Sequence, residues 1–297
     1  MKLIDKRIVL PSTGSKPENT VNLVAFGDIH IDEPGFQKRV LDRVIHELNT
    51  LPNAIGVCIG DVFGFTNTRT RKSVAAAFGQ APGGDEAKDT LDEFMRHRVT
   101  DLHKIFAPVK DKLICFVLGN HTWQYANGEY ADEQLAHSLG TEFCDGVLAF
   151  RLTLATKKKD SPNQKSCYVN IVCHHGTGGR QTEGGDLNNL AKKSSAWDAD
   201  IYLAGHSHHL YCHTGRPRMV FGKARKDFRI HERATHLART GSMVRAYAGK
   251  TAGYIERLGN SPSNLGYVEF KIYIDRLRED NMDIKVPAIE GRAVIVK

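Results

Sequence analysis

Five short apolar runs punctuate the first two-thirds of the chain, and each ends abruptly in polar residues. VNLVAF (21–26), AIGVCI (54–59), KLICFVL (112–118), YVNIVC (168–173) and DIYLA (200–204) are short and several are rich in β-branched residues, which predicts buried strands. Between the first and second, FQKRVLDRVIHEL places Val40, Leu41, Val44, Ile45 and Leu48 at helical spacing. Between the second and third, AKDTLDEFMRHRVTDLHKIF does the same with Leu91, Phe94, Met95, Val99, Leu102 and Phe106. Strand and helix in alternation predict an α/β fold with helices covering sheets. LAFRLTLAT and SCYVNIVC flank the polar KKKDSPNQK, which contains Pro162, and so predict a hairpin with a solvated tip. LGYVEFKIYI predicts a further strand near the C-terminus.

Two stretches depart from this pattern. Residues 63–86, FGFTNTRTRKSVAAAFGQAPGGDE, predict an insertion in the form of a long loop or small subdomain, of the kind that often serves as a lid or binding loop. Arg69, Arg71 and Lys72 would give it positive charge. From about residue 211 the chain is basic (GRPRMVFGKARKDFRIHER) and reads as a C-terminal extension. With no repeat, low-complexity block or linker, residues 1–297 are expected to form a single domain.

Composition narrows the class. A 41% hydrophobic content over 297 residues suffices for a packed core. The N-terminal MKLIDKRIVLPS carries charges inside its apolar stretch, and no run approaches the ~20 apolar residues of a membrane span, so a soluble, cytoplasmic protein is expected. The six cysteines are widely spaced with no C-x-x-C pair and are expected to be reduced thiols. A net charge of +7 and a pI of about 9.0 suit a partner bearing phosphates, nucleic acid included, without requiring one. The 14 histidines are more informative, because several stand beside Gly, Asp or Asn at strand ends.

The ends of the apolar runs form a series. GDIH follows the first (Asp28, His30), IGD the second (Asp61), LGNHTW the third (Asn120, His121), CHHG the fourth (His174, His175) and AGHSHH the fifth (His206, His208). In open α/β sheets ligands bind at the carboxyl ends of strands, so the five groups are expected to converge. Two carboxylates, an amide oxygen and several imidazoles make an oxygen and nitrogen set without thiolates, suited to manganese first, and also to iron, zinc, nickel or cobalt. The set exceeds what one tetrahedral ion needs, which points to two divalent ions sharing a carboxylate.

The ordered set D-x-H, G-D, G-N-H, H, G-H-x-H, over residues 22 to about 210, resembles the calcineurin-like metallophosphoesterase superfamily. The resemblance implies a four-layer α/β/β/α sandwich of two mixed sheets flanked by helices. It also implies a dinuclear site at the strand ends that hydrolyses phosphate esters. Carried over position by position, Asp28, His30 and His208 would bind one ion, Asp61 would bridge, and Asn120, a histidine of the HHG run and His206 would bind the other. His121 would assist catalysis without binding metal. Within HHG, His174 is preferred as the residue ending the strand, with His175 as the alternative.

Departures from the pattern bear on function. Many relatives continue the second motif to a later Asp that orients the catalytic histidine, and this chain has Gly64 there. GDVFGF and GNHTWQ lack the arginine usual in serine/threonine phosphatases, which ranks a protein phosphatase last. Arg180, in the Gly-rich GTGGRQTEGG, is a candidate contact to substrate phosphate. The favoured substrate is a phosphodiester or nucleic acid. The alternatives are a small phosphomonoester, or nucleic-acid binding by a fold that has lost catalysis.

Overall fold

The computed structural model describes residues 1–10, 19–64, 84–156, 166–177, 182–221, 230–247, 262, 264–279 and 282–297. In the first half of the chain these form β1 (Lys2–Leu10), β2 (Thr20–Phe26), α1 (Lys38–Thr50), β3 (Ala54–Cys58), α2 (Gly84–Phe106), β4 (Leu113–Val117), α3 (Ala131–Leu139) and β5 (Glu142–Cys144). There follow β6 (Leu148–Thr156), β7 (Ser166–His174), α4 (Glu183–Ser194), β8 (Ile201–Ala204) and β9 (Leu210–Thr214). The chain continues through β10 (Arg218–Phe221), β11 (Ile230–Arg233), β12 (His236–Thr240), β13 (Gly266–Glu279) and β14 (Met282–Ile295).

Two mixed six-stranded sheets result, one in the order β14-β13-β2-β3-β4-β5 and the other β1-β6-β7-β8-β12-β9, while β10 and β11 form a separate hairpin. In the first, β2, β3 and β4 run parallel, with Ala25 opposite Val57, and β13 joins antiparallel with Val268 opposite Ala25. In the second, β6 and β7 form the expected antiparallel hairpin, with Phe150 opposite Ile171, and its tip at 157–165 lies outside the described residues. β7, β8 and β12 are parallel.

Strand periodicity separates the layers. Val21, Leu23 and Ala25 of β2 and Ile55 and Val57 of β3 pack with Phe150, Leu152 and Ile171 between the two sheets. The alternate residues Val24, Phe26 and Cys58 pack instead with Val44 of α1, Leu102 of α2 and Leu135 of α3. On the far face, Val172 and Tyr202 meet Leu190 of α4. The order is therefore helices, sheet, sheet, helix, the expected four-layer α/β/β/α sandwich.

The region read as a C-terminal extension is woven into both sheets. β12 lies between β8 and β9, and β13 lies beside β2. Of the insertion at 63–86, residues 65–83, with Arg69, Arg71 and Lys72, lie outside the described residues, as does Arg180. No described helix is long and apolar enough to cross a membrane.

Candidate metal centre

The parallel strands β2, β3 and β4 of one sheet and β7 and β8 of the other end at one edge, where their loops are laced together. Asp28 N–H donates to Gly60 O at 2.9 Å and Ile29 N–H to Asp61 O at 2.8 Å. Across the sheets, Gly205 N–H donates to His175 O at 2.9 Å. Asp28, His30, Asp61, His206 and His208 all take left-handed backbone, with φ between 45° and 72°. That conformation costs non-glycine residues ~1 kcal/mol or more each and persists only where the surroundings impose it. It turns the chain sharply after β2, β3 and β8, bringing side chain and peptide N–H to the same place. His206 shows both effects: its N–H donates to the Asp28 carboxylate at 2.9 and 3.1 Å.

Two trios of ligand-type atoms form, Asp28 with His30 and His208, and Asp61 with His175 and His206. In the first, His30 Nε2 is 3.3 Å from His208 Nε2, which is 3.4 Å from Asp28 Oδ1. In the second, His175 Nε2 is 3.2 Å from Asp61 Oδ2 and 2.9 Å from Asn120 Oδ1, and His206 Nδ1 is 2.5 Å from that same amide oxygen. Asp61 Oδ2 also lies 3.8 Å from His30 Nε2, so one carboxylate reaches both trios.

The donor set fits divalent cations. Metal–ligand bonds of ~2.1 Å place neighbouring ligand atoms ~3.0–3.4 Å apart, close to most of these separations. Neutral His30 and His208 would also turn lone pair toward lone pair at 3.3 Å unless a proton or cation stood between them.

Of the two histidines of the HHG run, the preferred His174 and the alternative His175, it is His175 that stands in the second trio. Ile171 and Cys173 face the core between the sheets, whereas Val172 packs on the helix side. By the same alternation His174 turns away from the other sheet and His175 turns toward it. His174 Nδ1 accepts the Gly176 N–H at 2.8 Å. His175 Nδ1–H donates to Ile59 O at 2.7 Å, which aims Nε2 at Asp61.

Burial decides most of the protonation. It pushes the imidazoles of His206 and His208 down to about 4 and lowers His30 as well, so all three are neutral near pH 7, as ligands must be. Burial raises Asp28 to about 7. Burial would also raise Asp61, but the charge and hydrogen bond of His175, together with His30 and His121, outweigh it and hold that carboxylate below the ordinary range. For His175 burial acts downward, yet Asp61 overrides it and the imidazole rises to about 9.

His121 stands at the rim, half-buried, its ring edge-on to His30 with centroids 5.0 Å apart. Its backbone N–H donates to Asp61 Oδ1 at 2.7 Å. Gly64, where a later carboxylate was looked for, donates its N–H to Asp32 Oδ1 at 2.6 Å. A Cβ there would sit 2.7 Å from Glu33 Cγ and 3.2 Å from both Cβ and Nδ1 of His30, so Glu33 and His30 crowd the position.

Sequence reasoning passed over the groups that fix these loops. Thr122 Oγ1–H donates to Asp132 Oδ2 at 2.5 Å, and Trp123 Nε1–H to Asp92 Oδ1 at 2.6 Å, pinning the chain after His121 to α3 and α2. Met243 N–H and Ser242 Oγ–H both donate to Asp28 O, at 3.0 and 3.1 Å. A lone Asp in a helical pattern reads as solvent-facing, and only the polar handles in HTW hinted at buried partners.

Comparison with known proteins finds no matching family model and no matching curated protein. Among solved structures the chain is similar to a single mutant of Vps29 from Entamoeba histolytica, at 12% identity and a TM-score of 0.39, covering 91% of this chain and 99% of that one. Wild-type Vps29 from the same organism, complexed with zinc, gives 14% identity and a TM-score of 0.35 over 91% and 99% of the two chains. An uncharacterized Streptococcus pneumoniae protein described as a predicted phosphoesterase gives 11% and 0.33 over 91% and 98%. Identities and scores this low leave the functional reading to the side chains.

Proposed function

We propose that this chain is a phosphoester hydrolase of the calcineurin-like metallophosphoesterase superfamily, working with two divalent cations. Asp28, His30 and His208 would hold one, Asn120, His175 and His206 the other, and Asp61 would serve both. The observation that carries this reading is the reach of Asp61 Oδ2, 3.2 Å from His175 Nε2 and 3.8 Å from His30 Nε2.

When bound, such a pair of cations supplies Lewis acidity toward phosphoryl oxygens and lowers the pKa of an attacking water. The chain's own residues do the rest. Asp28 and Asp61, buried to within 1% of full exclusion, keep bulk solvent from the ligand set and offset the incoming charge. His121 stands at the rim with its backbone N–H on Asp61, and its imidazole is the candidate donor to a phosphoryl or leaving oxygen. The basic balance of the chain, +7, supports a phosphodiester or nucleic acid over a small monoester. Free cysteines, five of the six buried, support a reducing compartment such as the cytoplasm.

The test joins metal analysis to a substrate panel. Protein loaded with manganese should hold two ions per chain and hydrolyse bis-p-nitrophenyl phosphate faster than p-nitrophenyl phosphate, with DNA, RNA and cyclic nucleotides narrowing the class. Two ions bound without hydrolysis of any ester would favour a binding protein that keeps the fold. No uptake of transition metal would end the two-ion reading.

A further inference from the structure

The largest fully buried side chain among the described residues is charged: Arg239, on β12, 1% exposed. It meets Asp186 of α4, 0% exposed, in a fork, with Nε–H donating to Oδ2 at 2.9 Å and Nη2–H to Oδ1 at 2.7 Å. The third arm, Nη1–H, donates to the carbonyl of Gly205. Asp186 Oδ2 also accepts from Ser207 Oγ at 3.2 Å and Tyr211 OH at 3.0 Å, and lies 3.5 Å from His209 Nδ1.

Every one of these secondary partners lies on or just after the turn 205–208, which carries His206 and His208. That turn is unusual in supplying one imidazole to each trio. Both histidines stand in left-handed backbone, at φ 72° and 59°, a conformation the turn would not hold by itself. The guanidinium grips the carbonyl before His206, and the carboxylate grips the hydroxyl between the two histidines. Gly176 leaves room for the fork, since a Cβ there would be 2.9 Å from Arg239 Nη1 and 3.2 Å from His206 Cβ. A buried ion pair replaced by well-packed apolar side chains often leaves stability unchanged or raised. Fold stability therefore gives no reason to place a charged fork here, whereas holding a strained turn does.

We infer that Arg239 and Asp186 are positioning residues that set the 205–208 turn, so that His206 and His208 reach both halves of the metal centre together. The inference rests on the two-ion reading above and adds one consequence: loss of the fork weakens both ion sites at once, whereas loss of His206 weakens one.

The experiment measures manganese binding by calorimetry and cobalt uptake by its visible absorption, in wild type, His206→Ala, Arg239→Lys, Asp186→Asn and the double variant Arg239→Met/Asp186→Leu. Arg239→Lys keeps the charge without the fork. The double variant removes both charges together and tests whether restoring stability restores binding. The expected result is a loss of ~10–100-fold in affinity at both sites in the fork variants, persisting in the double variant although its urea midpoint returns to the wild-type value. Tyr211→Phe, which keeps the ion pair, should give a smaller loss in the same direction. Folded fork variants that bind two ions like wild type would overturn the positioning role. So would a double variant whose affinity recovers with its stability, since that marks a merely structural pair. Wild-type protein that binds no ion would instead overturn the two-ion reading, and this inference with it.

Discussion

The imidazole of His175 is held at both ends, with Nδ1 2.7 Å from the carbonyl oxygen of Ile59 and Nε2 3.2 Å from Oδ2 of Asp61. The backbone carbonyl takes the Nδ1 proton and leaves Nε2 as the atom that faces the centre. His174, one residue earlier, has its Nδ1 committed to the Gly176 N–H and points into the opposite layer.

His175→Ala should therefore abolish uptake of one of the two ions and lower hydrolysis by more than the ~10–100-fold that neighbouring hydrogen-bond partners cost. His174→Ala should leave ion stoichiometry at the wild-type value with at most a mild loss of rate. Elemental analysis and steady-state kinetics on the two variants decide this, and the reverse ranking would restore the strand-end assignment.

His121 lies beside the ligand set and donates its backbone N–H to Asp61 Oδ1, at 2.7 Å. His121→Asn keeps that N–H, so both ions should remain bound while kcat falls by ~10²–10⁴-fold, the usual worth of a proton donor. A variant that loses metal in step with activity would make His121 part of the ion site.

Gly119 is a position at which a single methyl should disturb the ligand set directly. A Cβ there would overlap both the carboxylate and the backbone nitrogen of Asp61. Gly119→Ala is expected to lose ~1–3 kcal/mol of stability from the crowding, to bind metal poorly and to be nearly inactive. Full metal content in the purified variant would contradict the packing at this strand end.

Asp132 gives a pH prediction. Burial raises its carboxyl to about 7 from an ordinary 3.8, so the folded protein holds a proton that the unfolded chain releases. The stability this contributes is complete below the ordinary value and is lost as pH rises through about 7. Asp132→Asn imitates the protonated form and can still accept from Thr122. In metal-free protein, its urea midpoint relative to wild type should rise from the ordinary carboxyl value of 3.8 up to about pH 7 and level off above it. An offset that stays constant with pH would mean that Asp132 is ionised throughout.

Much of this was legible in the sequence. Short β-branched runs must be strands when they are too short and too apolar to be anything else, and the ordered polar residues after each run marked the edge where they gather. Asp28, His30, Asp61, Asn120, His206 and His208 all come together there because parallel strands carry their C-terminal ends to one side. What followed each run was local information, and local information survived folding intact.

The tertiary structure decided what depends on orientation and on distant partners. Choosing His175 over His174 required knowing which face of β7 meets the other sheet, and two adjacent histidines in one apolar run read alike until that face is set. The integration of β12 and β13 was hidden because their pairings, Arg239 with Ala204 and Val268 with Ala25, join segments far apart in the chain. Asp186 and Arg239 lie 53 residues apart and became a pair only when α4 and β12 were brought together. A charge in a strand-like segment signals that it needs a partner, but only the packed layers name that partner.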